Sequence, residues 1–204
     1  MGKTIKTFSS LHRALDILFQ GISEFCRECS DDDCVGYVWL LPKEAEELYE
    51  QGIEVLEINN NVNFLHPFAG KNEGVDIEQY QPSCPWRKEK KCTIYSKRPL
   101  VCRFYPLGFA TEHGTIYLVL HLDCPFSRQK STDALFQNQI VMLFRRLHPQ
   151  LLKEILGAYR LVDQISKFPE GPNNYLRLMA LDKIKKEGGG AECRSARQFS
   201  TARR

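Results

Sequence analysis

No apolar run in this chain approaches the ~18 residues that a membrane-crossing helix requires, so no membrane partner is expected. An export signal is missing too. In MGKTIKTFSSLHRALDILFQG the apolar run is short and contains Asp16, and no small-residue cleavage site follows. Gly2 would suit N-myristoylation, but position 6 is Lys6 rather than Ser or Thr. There is no excess of charge: 28 basic residues face 25 acidic ones for a net charge of +3, which does not point to nucleic acid. There is no G-x-S-x-G, no H-E-x-x-H and no P-loop. No glycine-rich turn after a strand is placed to hold a nucleotide or S-adenosylmethionine, and no repeat is visible. These absences lead to an expectation of a cytoplasmic protein with no catalytic group that the residues name.

What is present is cysteine. The chain has 8, at Cys26, Cys29, Cys34, Cys84, Cys92, Cys102, Cys124 and Cys193. Disulfides need an oxidising compartment, which nothing here signals. Buried thiols usually sit in apolar runs. Most of these sit instead in polar, turn-rich stretches such as FCRECSDDDC, QPSCPW and EKKCTIY. Clustered thiols of that kind in a reducing compartment point to metal.

Periodicity places the thiols among short elements. Residues 8–21 read as a helix whose apolar face is Leu11, Leu15, Ile17, Leu18 and Ile22. Residues 35–41 read as a strand. Residues 42–52 read as a helix opened by Pro42 and closed by Gly52, and 53–58 as a half-buried strand. Residues 59–83, rich in Asn, Gly and Pro, read as a long excursion. TEHGTIYLVLHL, 111–122, reads as a turn and then a strand. Beyond Cys124 helical spacing replaces thiols, over 132–147 and, after Pro149, over 149–166, with a last helix at 173–186. With 43% hydrophobic residues the chain can fill one sizeable core or two small ones. The expected fold is α+β: a small cysteine-rich, metal-centred domain with short strands, followed by C-terminal helices packed on it. The expected segments are an N-terminal helix at 1–23, the metal-binding domain at 24–127, a helical part at 128–187 and a disordered tail at 188–204.

The first thiol group is Cys26-x2-Cys29-x4-Cys34. A C-x2-C pair turns two thiolates inward on one tight loop and is a common half-site for zinc or iron–sulfur binding. Asp31, Asp32 and Asp33 between the thiols are hard oxygen donors that suit a solvated turn better than a thiolate site. The second group is Cys84, Cys92, Cys102 and Cys124, with spacings of eight, ten and twenty-two. That is neither a zinc ribbon nor the dense ferredoxin run, so spacing alone stops at a metal-binding cysteine cluster. His66 and His121 could replace a thiol, although each has an ordinary structural reading.

CTIYSKRPLVCRFYP, with the upstream C-x2-C and the later CPF, resembles the CxxCxxCC family of zinc- or iron-chelating domains. The family's C-x-I-Y-x-x-R-P-x-x-C-R-x-[FY]-P segment is matched by Cys92, Ile94, Tyr95, Arg98, Pro99, Cys102, Arg103, Tyr105 and Pro106. The resemblance covers about residues 24–127. It departs at the early cluster, where a family member carries two adjacent cysteines and this chain has only Cys34 after a longer spacer. The family is related to the metal-binding part of bacterial flagellin lysine methylases, which implies a link to methyl transfer.

The resemblance implies zinc or an iron–sulfur cluster held by Cys26, Cys29, Cys34, Cys84, Cys92, Cys102 and Cys124. No single segment supplies four thiols, so the early triad must meet the later ones, and seven sulfurs fit two metals or a multinuclear cluster better than one zinc. A Cys₄ zinc site carries a formal charge of about −2. Arg98 and Arg103 would offset it and donate to sulfur or to backbone carbonyls, Pro99 and Pro106 would fix the turns, and Tyr95 would pack against the site. The segment 86–103 is basic and interleaved with Trp86, Tyr95 and Phe104, but charge balance against thiolates accounts for it better than a nucleic acid does. Three functions stay open: a metal-binding module, an enzyme using an iron–sulfur cluster in redox or methyl-transfer chemistry, and a metal- or redox-sensing regulator or RNA-binding protein. The metal ion is the expected partner, and a protein partner is compatible. Cys193 lies in a Gly-, Ser- and Arg-rich stretch and is expected to be dispensable.

Overall fold

The structure, a computed structural model, describes residues 3–28, 38–58, 62–66, 84, 86–89, 91–164 and 174–181. In chain order the described elements are α1 (Phe8–Leu18), α2 (Ile22–Glu28), β1 (Trp39–Leu40), α3 (Pro42–Glu50), β2 (Val55–Ile58), β3 (Val62–Leu65), β4 (Arg87–Lys88), β5 (Lys91–Cys92), a 3₁₀ turn (Tyr95–Lys97), α4 (Leu100–Phe104), β6 (Leu107–Glu112), β7 (Thr115–His121), α5 (Pro125–Lys130), α6 (Ala134–Arg145), α7 (Pro149–Gln164) and β8 (Tyr175–Ala180). Helices and small antiparallel sheets make this an α+β protein, as the sequence implies. The chain divides into two compact units, 21–103 and 1–20 with 104–204.

In the unit 21–103, β1, β3 and β2 form one antiparallel sheet, with Trp39 opposite Phe64 and Leu56 opposite Phe64 from the other side. Pro42 opens α3 because its missing N–H would be an orphan there in any case, and Gly52 follows the helix at φ +74, a conformation that costs glycine nothing. Helix α3 lays Ala45 and Leu48 against Leu40, Ile53 and Leu65 to form a small apolar cluster. The β4–β5 hairpin is a separate two-stranded piece, in which Glu89 adopts φ +48.

In the other unit, β6, β7 and β8 form a three-stranded antiparallel sheet. His113 and Gly114, both at positive φ, make the two-residue turn between β6 and β7, because that backbone twist matches the flanking strands. Alternation gives the sheet a buried face of Leu107, Thr111, Ile116, Leu118 and Leu120. The helices contribute Leu11, Leu15, Phe136, Ile140, Phe144, Leu151, Ile155 and Tyr159 to the core. Asp133 caps α6 by accepting from Leu135 and Phe136 N–H at 3.0 and 3.1 Å, which satisfies two orphan donors. Phe19, Phe126 and Phe136 meet edge to face at 5.8–6.3 Å. Ile5 bridges to Leu147 and ties the N-terminal segment to the α6–α7 junction.

Several expectations change. The helix expected over 8–21 ends at Leu18, and α2 starts after Gly21 at φ +87. Ile17, expected on its apolar face, is 68% exposed, because it lies about 200° around the helix from buried Leu15. The helix expected at 173–186 is instead strand β8, paired to β7 with Leu118 opposite Met179 and Leu120 opposite Leu176. YLRLMA has helix-forming residues, but an open strand edge with apolar partners outweighs intrinsic propensity. LGFATE, which carries no strong strand signal of its own, is drawn into β6 by the hairpin turn. The tail at 188–204, Cys29, Cys34 and Cys193 lie outside the described residues, as does most of the excursion expected at 59–83, whose described part, 62–66, holds strand β3. No described helix is long and apolar enough to cross a membrane.

Candidate metal centre

Cys84 and Cys92 stand on the two sides of one small hairpin. Arg87 N–H donates to the Cys84 carbonyl at 3.0 Å, and Arg87 pairs across the strands with Cys92. Between them the Trp86 carbonyl accepts twice from Thr93, from its N–H at 2.7 Å and from its hydroxyl at 2.8 Å. These bonds fix the backbone beside both thiols. Cys84, Trp86 and Ile94 pack on the apolar cluster of Leu40, Ala45, Leu48, Ile53 and Leu65. Both thiols are half-buried.

Cys102 follows on α4, and Glu44, distant in sequence, holds the start of that short helix. Glu44, on α3, accepts from Leu41 N–H at 3.1 Å and from Leu100 N–H at 2.7 Å, so one carboxylate caps the start of both helices. Burial pushes the Glu44 carboxyl above its ordinary value of 4.5, and the two amide bonds and Arg103 offset part of that rise. Arg103 is itself buried. Its Nη2 donates to the Ser96 carbonyl at 2.8 Å and its Nε to the Arg98 carbonyl at 3.1 Å, which closes the loop between Cys92 and Cys102. The Arg98 guanidinium lies 4.0 Å over the Tyr95 ring, and Tyr95 is 47% exposed. Arg103 thus serves backbone carbonyls, one of the two roles expected for the arginines.

Cys26 lies on α2 and is half-buried. Cys124, which belongs to the other unit, is 3% exposed and sits at the N-cap of α5, where its carbonyl accepts from Arg128 N–H at 2.9 Å. His66 follows the end of β3, where its N–H donates to the Glu54 carbonyl. His121 ends β7 with its imidazole directly over Gly108, so a Cβ at position 108 would collide with Nε2. Tyr105 joins cis to Pro106, and its ring centroid lies 6.0 Å from that of His121.

Cys84 precedes the β4–β5 hairpin, Cys92 lies on β5 and Cys102 on α4, whose start Glu44 holds and whose preceding loop Arg103 closes. Among the described residues no three His, Cys, Asp or Glu side chains stand together as a ready-made metal cage. Cys29 and Cys34, the rest of the early triad, lie outside the described residues. The donor chemistry nevertheless fits a soft cation: half-buried thiols on a pinned hairpin, with positive charge close in sequence. A further observation agrees. Trp86 Nε1 is buried and meets no acceptor among the described residues, a state that costs about 1–3 kcal/mol and that a thiolate would relieve. Sequence reasoning missed Glu44. Its signal was an acid three residues after the helix start, which reads as an ordinary cap until the second helix is seen.

Residues 25–125 match the model of the CxxCxxCC family, described as a candidate zinc- or iron-chelating domain. No curated protein and no solved structure gives a match.

Proposed function

This chain belongs, over residues 25–125, to the CxxCxxCC family, described as a candidate zinc- or iron-chelating domain, and on that premise we propose that it is a metal-binding module whose thiolates hold one or two metal centres. The ligands are drawn from Cys26, Cys29, Cys34, Cys84, Cys92, Cys102 and Cys124, with Arg98, Arg103 and Tyr95 around them. The observation that carries this reading is the Cys84–Cys92 hairpin. Backbone bonds hold the described part of that hairpin, both of its thiols are half-buried, and Cys102 follows on a helix start anchored by Glu44. When bound, zinc or an iron–sulfur cluster supplies a covalent-strength cross-link between segments far apart in sequence. The protein residues supply the rest. The hairpin aims two thiols, Glu44 holds the start of the Cys102 helix, and Arg103 keeps the intervening loop closed while its positive charge offsets thiolate charge.

Anaerobic purification with metal analysis and an absorption spectrum tests the reading. Stoichiometric zinc without colour makes it a zinc module. A bound iron–sulfur chromophore makes the centre an iron–sulfur cluster and brings redox or methyl-transfer chemistry forward. Protein that takes up neither metal, with all seven thiols open to alkylation, refutes it. Single Cys→Ser variants then assign ligands, with Cys124 tested apart because it belongs to the other unit.

A further inference from the structure

We propose that the Trp86 indole N–H is a hydrogen-bond donor to a metal-bound thiolate of the Cys84–Cys92 hairpin, and so a positioning residue for the metal centre. The inference rests on the metal-binding reading above. Trp86 lies two residues after Cys84 and six before Cys92, inside the hairpin that presents both. Its backbone cannot wander, because its carbonyl is held twice by Thr93. Its ring packs with Cys84 on the same apolar cluster.

The indole nitrogen is a donor only, and buried donors in folded proteins almost always find an acceptor. Nε1 is buried and meets none among the described residues. A neutral thiol is a poor acceptor. A thiolate on a metal carries negative charge and accepts well, and hydrogen bonds to cluster sulfurs tune both affinity and potential. Loading the site would convert the Cys84 or Cys92 sulfur into the acceptor that Nε1 lacks. The same step would place a neutral donor beside thiolate charge that Arg103, occupied with carbonyls, only partly offsets.

The chain carries two tryptophans, Trp39 and Trp86, so two indole N–H signals are expected and Trp39→Phe assigns them. The test loads ¹⁵N-tryptophan-labelled protein with cadmium-113. The Trp86 indole proton should show scalar coupling to the metal through the hydrogen bond, together with slowed solvent exchange, and Trp39 should show neither. In parallel, Trp86→Phe, which keeps the apolar ring and removes the donor, should bind zinc roughly 10-fold more weakly in chelator competition, the scale on which supporting hydrogen bonds act. A weaker site without the coupling would mean that Trp86 only packs, and would overturn the proposal. So would a Trp86→Phe chain that holds zinc as the parent does. If that variant does not fold, the coupling in the parent chain decides alone. A parent chain that takes up neither zinc nor cadmium overturns the metal-binding reading itself, a failure distinguishable from metal uptake without coupling.

Discussion

The two units solve the problem of stability by different means. Of the largest fully buried side chains, Phe64 and Leu100 lie in the unit 21–103, while Leu11, Leu15, Phe104, Ile116, Leu118, Leu120, Phe144, Ile140, Ile155 and Leu181 lie in the other. Cysteine runs the opposite way: Cys26, Cys29, Cys34, Cys84, Cys92 and Cys102 fall in 21–103, and only Cys124 and Cys193 fall outside it. A sheet with one apolar face and three amphipathic helices buries enough surface to hold itself together. The described part of the unit 21–103 has short strands and a two-stranded hairpin, and small domains with thin cores commonly recruit metal or disulfides. Among the described residues, the unit with fewer of these fully buried side chains is the unit that carries six of the eight cysteines.

If that contrast is right, metal removal should act on one unit. Metal binding to thiolate sites is worth ~10–16 kcal/mol, more than a thin core can replace. A chelator should therefore raise amide exchange throughout the 38–103 segments by orders of magnitude and leave β6, β7, α6 and α7 protected. Uniform loss of protection across both units would break the comparison.

The converse variant comes next in size. Phe144 is fully buried and packs 5.7 Å from the Phe104 ring, so Phe144→Ala should cost about 3–5 kcal/mol. The loss should appear in urea unfolding of the helical unit while metal content per folded chain stays the same. A parallel loss of metal would show that the thiol site depends on this core after all.

A smaller effect sharpens the role of Glu44. Its carboxyl is raised by burial, so the folded state favours the protonated form. The stability this contributes is complete below pH 4.5, the ordinary value, and is lost as pH rises through the higher folded value. Among the described residues, Glu47 raises it further and Arg103 lowers it. Glu44→Gln should therefore remove part of the fall in urea midpoint above pH 4.5, and subtracting the two profiles cancels the titrating thiols common to both chains. Superimposable profiles would assign the pH dependence elsewhere.

The smallest expected effect is none. Cys193→Ser should leave metal content and stability unchanged, the outcome expected from the Gly-, Ser- and Arg-rich composition around it. Loss of one equivalent of metal in that variant would bring the C-terminal stretch into the site.

The sequence by itself determined whatever depends on neighbours along the chain. Pro42 and Pro149 start helices because proline's fixed φ and missing N–H suit a first turn. The apolar spacing over 132–147 and 149–166 marks α6 and α7, and the turn in TEHGT marks the β6–β7 hairpin. The CTIYSKRPLVCRFYP segment was enough to identify the family, since its cysteines, arginines and prolines are local pattern. Tertiary structure alone decided what depends on distant partners. Residues 175–180 are a strand because β7 offers them an edge. Glu44 holds the start of the Cys102 helix across a separation of 56 residues, which no window along the chain could reveal. The buried indole N–H of Trp86, a residue that packs against the apolar cluster of Leu40, Ala45, Leu48, Ile53 and Leu65, became visible only in the folded chain. Local conformation follows from torsional preference and side-chain period, which are written in sequence order. A buried polar group's partner is chosen by desolvation, which acts only once the chain has brought remote surfaces together.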